Sequence, residues 1–113
     1  MDLITSLTDS PRQQFQIPID TGDYIDFYLY YYVTQYSWFF DFTYNNYTSK
    51  GNRVVLTPNA LRNLKNIIPF GIAFMADGKA EPFSITDFSS GRVKMYVLTQ
   101  SEVQEIESNI YGA

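Results

Sequence analysis

The sequence predicts a mainly β protein: a small antiparallel open barrel or two-layer sheet, with one short internal helix and a C-terminal helix. Three observations carry this. Short runs at 15–19, 24–33, 38–44 and 93–98 alternate with the period of two expected of strands. Turn-forming clusters separate the runs, among them Asp20-Thr21-Gly22-Asp23, Asp77-Gly78 and Ser89-Ser90-Gly91. Helical spacing occurs in two places only, after Thr57-Pro58 and in the tail. At 113 residues the chain is one domain's worth. The expected division is a polar N-terminal arm at 1–13, a β domain at 14–99 and an amphipathic helix at 100–113.

The elements follow in order. The arm carries Leu3, Ile4 and Leu7 and ends at Ser10-Pro11. It reads as a partly ordered leader or as an arm that docks on a neighbouring subunit. Phe15, Ile17 and Ile19 alternate with Gln16 and Pro18, and the proline argues for an edge strand. Tyr24 to Val33 is the second strand and Trp38 to Tyr44 the third, joined as a hairpin by a short turn. Asn45 to Asn52 reads as a polar loop, and Arg53 to Leu56 as a short β-branched run. Thr57-Pro58 resembles a capped helix start, continued by Leu61, Leu64 and Ile68 and ended by Pro69. Phe70 to Ala76 and Val93 to Leu98 are further strands, with a shorter one expected at Phe83 to Thr86. In the tail, Ser101 and Gln104 have capping-box spacing, and Val103, Ile106 and Ile110 share one face. That face packs on its own sheet or grips a neighbour.

Residues 24–47 hold most of the aromatic side chains of a chain that is 18% aromatic. Alternation sends Ile25, Phe27, Leu29, Tyr31 and Val33 to one face of the second strand. Tyr24, Asp26, Tyr28, Tyr30 and Tyr32 go to the other. On the third strand Trp38, Phe40, Phe42 and Tyr44 oppose Phe39, Asp41 and Thr43. The expected core is Phe15, Ile17, Ile25, Phe27, Leu29, Tyr31, Trp38, Phe40, Phe42, Val93, Met95 and Val97. The outward row is too aromatic for a solvated face. A protein interface is expected there, formed by Tyr24, Tyr28, Tyr30, Tyr32 and Phe39, with Val103, Ile106 and Ile110 of the tail as a second candidate surface. Sugar stacking, as in a carbohydrate-binding or adhesin-type module, and covering by the chain's own termini are the alternatives.

Chemistry is hard to find. There are no cysteines and no histidines, which removes disulfides, cysteine zinc sites, nucleophilic triads and the usual neutral-pH base. No phosphate-binding glycine loop occurs. Asp26 and Asp41 are the one carboxylate pair that neighbouring strands bring together, and they read better as charges that keep the face soluble. The expectation is a non-enzyme with no catalytic, cofactor-binding or metal-binding residue. Net charge is −4 and the basic residues are scattered, which argues against sequence-specific nucleic-acid binding. No apolar run approaches the roughly 20 residues that span a bilayer. The start lacks a basic-then-apolar leader, so a soluble chain made in a cytoplasm, with no membrane partner, is expected.

With the strands laid out, the sequence resembles the small baseplate plug proteins of contractile-tailed phages, specifically the cyanophage baseplate plug family. Phe15, Ile17 and Ile19 match its first strand; Ile25, Phe27, Leu29 and Tyr31 its second; Trp38, Phe40, Asp41 and Phe42 its tryptophan strand. Gly71-Ile72-Ala73-Phe74 followed by Asp77 is similar to its glycine-led strand. Asp87-Phe88, a glycine, Arg92, Val93, Met95 and Val97 are similar to its closing strand. The likeness covers residues 15–98. It departs in the polar leader, the tyrosine-rich outward face, the acidic tail and Tyr32, where the family commonly has asparagine. The resemblance implies a virion structural protein on the tail axis that closes the lumen of the hub and spike until DNA injection. It implies baseplate hub and spike proteins as partners and no cofactor, with either a homotrimer or a single copy on the axis.

Overall fold

The computed structural model describes residues 2–5, 7–78 and 80–110. Its strands are β1 (Asp2–Leu3), β2 (Arg12–Pro18), β3 (Tyr24–Tyr32), β4 (Ser37–Tyr44), β5 (Tyr47–Arg53), β6 (Phe70–Ala76) and β7 (Val93–Thr99). Helix α1 spans Gln100–Asn109. Two antiparallel sheets result, a four-stranded one in the order β2-β3-β4-β5 and a three-stranded one in the order β1-β7-β6. The larger sheet is a run of sequence neighbours. The smaller one joins the two ends of the chain, with Asp2 opposite Val97 and Leu3 opposite Tyr96.

The sheets pack face to face and do not close into a barrel. Two backbone straps join their edges instead. One is the leader, where the Ile4 amide donates to the Met95 carbonyl and the Tyr31 amide donates to that of Pro11. The other is 54–60, where the Val54 amide reaches Trp38, Thr57 exchanges two bonds with Phe74, and the Ala60 amide reaches Ile72. The leader is thus tied to its own chain on both sheets.

Between the sheets lies an aromatic seam. Phe40 meets Phe74 at 5.7 Å between centroids and Phe42 meets Phe70 at 5.8 Å, each pair bridging the two sheets. Ile17, Ile25, Phe27, Leu29, Tyr31, Trp38, Phe40, Phe42, Val93, Met95 and Val97 are buried there, while Phe15 is partly buried at the rim. Val33 differs from expectation: it is 66% exposed. β3 ends at Tyr32, and Val33–Gln35 turns as a short 3₁₀ segment with Tyr36 left-handed at φ 48°, so alternation stops one residue early.

The outer side of the smaller sheet is covered by α1. Val103 is buried against Ala73 and Leu98, with Ile106 beside it. The helix cap differs from the expected Ser101 and Gln104. Thr99 closes β7 in an extended conformation and accepts from the Glu102 amide, while Glu102 accepts from the Thr99 amide. The strand runs straight into the helix, which moves the capping box two residues earlier. Beneath α1, Gly71 leaves no room for a side chain: a Cβ there would lie 2.7 Å from Asn59 Oδ1 and 2.9 Å from Val103 Cγ2.

Three other segments depart from the sequence reading. The expected loop 45–52 is mostly strand β5, reached through Asn45 at φ 52°. Its polar residues gave no apolar alternation to detect. The expected helix at 57–68 is reduced to a 3₁₀ turn, Arg62–Leu64, with flanking turns. Hydrogen bonds from Thr57 and Ala60 to β6 hold the backbone extended there, leaving too few residues before Pro69 for a helix. The expected strand 83–86 is a series of turns, because the Asp87 carboxylate accepts from the amides of Phe83 and Ser84 at 2.7 and 2.8 Å and curls the chain around itself.

Asp87 is itself buried, and Arg92 holds it with two hydrogen bonds of 2.8 and 2.9 Å. Burial pushes its pKa up, but Arg92 and the two amides outweigh burial, so the net shift is downward. A depressed carboxyl pKa stabilises the fold above the unfolded value near 3.9, and that stability fades as pH falls through the lower folded value. Asp87→Asn should therefore destabilise by about 3 kcal/mol at neutral pH, with the gap to the parent narrowing in acid. Denaturant unfolding at both pH values measures this. Gly71→Ala should cost about 2 kcal/mol through the clash with Asn59 and Val103, read as a lowered thermal midpoint.

Candidate protein-interaction face

The outer face of the larger sheet carries a second group of aromatics. Register fixes who stands beside whom. Arg12, Tyr30, Phe39 and Arg53 form one cross-strand row through β2, β3, β4 and β5. Gln14, Tyr28 and Asp41 form the next. Gln16, Asp26, Thr43 and Thr48 follow, and Pro18 and Tyr24 lie beyond.

Alternation on nine-residue β3 puts Tyr28, Tyr30 and Tyr32 in one column, and their rings touch. Centroids are 5.1 Å apart for Tyr28 and Tyr30 and 5.3 Å for Tyr30 and Tyr32. Phe39 joins from β4, 5.9 Å from Tyr30 and 5.4 Å from Tyr32. Tyr30 is the centre of this cluster and is only 7% exposed, its surface covered by its neighbours' rings. Tyr28 and Phe39 are half-buried, Tyr32 is 39% exposed and Tyr24, at the far end of the strand, 59%. The cluster is therefore Tyr28, Tyr30, Tyr32 and Phe39, with Tyr24 two rows away.

Polar groups anchor the rings. Tyr30 donates its hydroxyl to Asp41 Oδ1 at 2.9 Å, and the same oxygen accepts the Gly51 amide at 2.8 Å. Gly51, at φ 71°, sits in the irregular register of β5 opposite Asp41, where glycine tolerates the left-handed backbone. Arg12 donates Nη1 to the Tyr28 hydroxyl at 2.8 Å. Asp26 accepts from Gln16 at 3.0 Å. The two aspartates thus have separate partners, and neither is set up to act with the other. Among the described residues no cluster of acidic side chains is placed to hold a metal ion.

The tail residues lie elsewhere. Val103 is buried and Ile106 half-buried against the smaller sheet, while Ile110 is 58% exposed. A groove of about 550 Å³ runs between α1 and the 65–69 turn, bounded by Ile67, Ile68, Val103 and Glu107. Its charges are committed to one another: Glu107 pairs with Arg62 at 2.8 Å and Lys65 at 3.3 Å. The aromatic face, by contrast, ends in two arginines outside any ion pair among the described residues. The sequence reading grouped the tyrosines but gave no sign of these arginines, which only the strand register brings to one row.

The molecule is thus a packed two-sheet β framework with a cluster of aromatic rings on one outer face. The family model described as cyanophage baseplate Pam3 plug gp18 matches residues 1–100, and the chain belongs to this cyanophage baseplate plug family. It is accordingly a virion protein of the phage tail baseplate. The match takes in the polar leader as well as the β framework and stops at the start of α1. No curated protein matches the chain.

Burial first, and then Asp41, push the Tyr30 phenol up to about 12. A raised phenol pKa stabilises the fold below the ordinary value near 10 and stops doing so as pH rises through 12. Ultraviolet difference titration should show the Tyr30 phenol ionising only near pH 12, and Asp41→Asn should lower that value.

Proposed function

We propose that the chain acts as the plug of the baseplate's central hub and spike and closes the tail lumen until DNA is injected. The observation that supports this reading most is the ring cluster of Tyr28, Tyr30, Tyr32 and Phe39 on an otherwise uncovered sheet face. Tyrosine combines apolar area with a hydroxyl at little entropic cost, which suits a contact that must exclude water yet release later. The hub and spike proteins are the proposed partners, with a homotrimer or a single copy on the tail axis. The role is mechanical, without a reaction: Asp26 and Asp41 hold neighbouring side chains and the backbone, an arrangement suited to shaping a surface. Sugar binding has less support. Trp38, the strongest stacking residue, is fully buried, and the tyrosine rings tilt against one another where a sugar platform would want a flat row.

Light scattering after size exclusion, alone and with recombinant hub and spike proteins, tests the reading. Tyr30 packs within its own chain, so the informative variants are Tyr28→Ser and Tyr32→Ser. Each should weaken hub binding by about 2 kcal/mol, with the thermal midpoint nearly unchanged. A parent protein that stays monomeric and ignores every hub and spike protein would sink the proposal.

A further inference from the structure

We infer that the aromatic face receives an acidic protein segment, with two carboxylates flanking an apolar or aromatic group. The inference rests on the docking role proposed for this face and adds the chemistry of the partner. Its basis is the cross-strand row Arg12, Tyr30, Phe39, Arg53, which puts a guanidinium at each end of the ring cluster. Three inter-strand spacings of about 4.8 Å separate the two backbone positions by about 14 Å. Both arginines are exposed. Neither is in an ion pair among the described residues. The bond to the Tyr28 hydroxyl, at 2.8 Å, ties the Arg12 guanidinium to the ring cluster.

The acids on the same face form no ion pair with either arginine, so both guanidiniums keep donors open to a partner. Asp41 is taken by Tyr30 and Gly51, and Asp26 by Gln16. A guanidinium is a planar fork that matches a carboxylate with two parallel hydrogen bonds, and covering by a partner would strengthen both pairs by excluding water. The rings between them supply the apolar anchor.

A nucleic acid would satisfy the same features less well. It presents a continuous polyanion and needs a basic stripe. This chain has net charge −4 and two arginines on the face. A pair of carboxylates asks for no more than those two.

The test measures affinity of the full chain for recombinant baseplate proteins of its own phage, at low and high salt, with a thymidine oligonucleotide as the polyanion control. Arg12→Glu with Arg53→Glu should lower affinity for the partner at least about tenfold, Arg12→Lys with Arg53→Lys less, and salt should weaken the parent more than the charge-reversed variant. Thermal midpoints check folding. If the double variant does not fold, Arg53→Glu alone replaces it, since Arg53 makes no side-chain hydrogen bond within the described residues. Binding lost with Tyr28→Ser and Tyr32→Ser but unchanged by the arginine reversals would overturn the carboxylate inference and leave the plug reading standing. Absence of any baseplate partner would overturn both. Oligonucleotide binding abolished by the reversals, with no protein captured, would replace the acidic segment with single-stranded nucleic acid.

Discussion

The aromatic seam between the two sheets governs the rest of this structure. Phe40 on Phe74 and Phe42 on Phe70 hold the layers at a fixed separation, and each fully buried phenylalanine contributes about 2 kcal/mol or more. Once those rings face inward, strand geometry leaves no freedom for their neighbours. Tyr28, Tyr30 and Tyr32 must face outward because Phe27, Leu29 and Tyr31 face inward. The outer ring cluster is thus a by-product of core alternation that the chain has kept aromatic, and slipping β3 by one residue would bury the outer tyrosine hydroxyls and expose Ile25, Phe27 and Leu29.

A second constraint acts at one end of the sandwich. Asp87 gathers two amides and Arg92, and the turns it shapes bring carbonyls over the core's polar edge. Tyr31 donates its hydroxyl to the Phe83 carbonyl at 2.7 Å, and Trp38 donates Nε1 to that of Ser84 at 2.9 Å. The Arg92 guanidinium lies 5.0 Å from the centre of the Phe83 ring and donates to the Ala80 and Glu81 carbonyls. The same loop therefore satisfies two large aromatic residues that a purely apolar lid would leave without partners.

Much of this was legible from sequence, and the failures are instructive. Period-two runs located β2, β3, β4 and β7, the apolar run Phe70 to Ala76 gave β6, and Pro18 marked an edge strand correctly. β5 was missed because Thr48, Ser49, Asn52 and Arg53 carry no apolar rhythm; an edge strand is stabilised by its ladder and by bonds such as Asn52 to the Phe40 carbonyl. The 57–68 segment shows the reverse error. Helical spacing was present, but pairing with β6 took the backbone first. At the aromatic face, alternation disclosed the tyrosines. The arginines stayed hidden because Arg12 and Arg53 are far apart in sequence and meet only through three strand registers.

The smaller sheet is woven from both ends of the described chain: β1 lies on β7, and α1 packs on the outer side of β7 and β6. The tyrosine cluster belongs to the other sheet and looks the opposite way. The molecule is consequently two-sided, with the tyrosine cluster on one sheet and β1 and α1, the first and last described elements, on the other. A label attached at an exposed position of α1 would therefore sit on the opposite side of the sandwich from the tyrosine cluster.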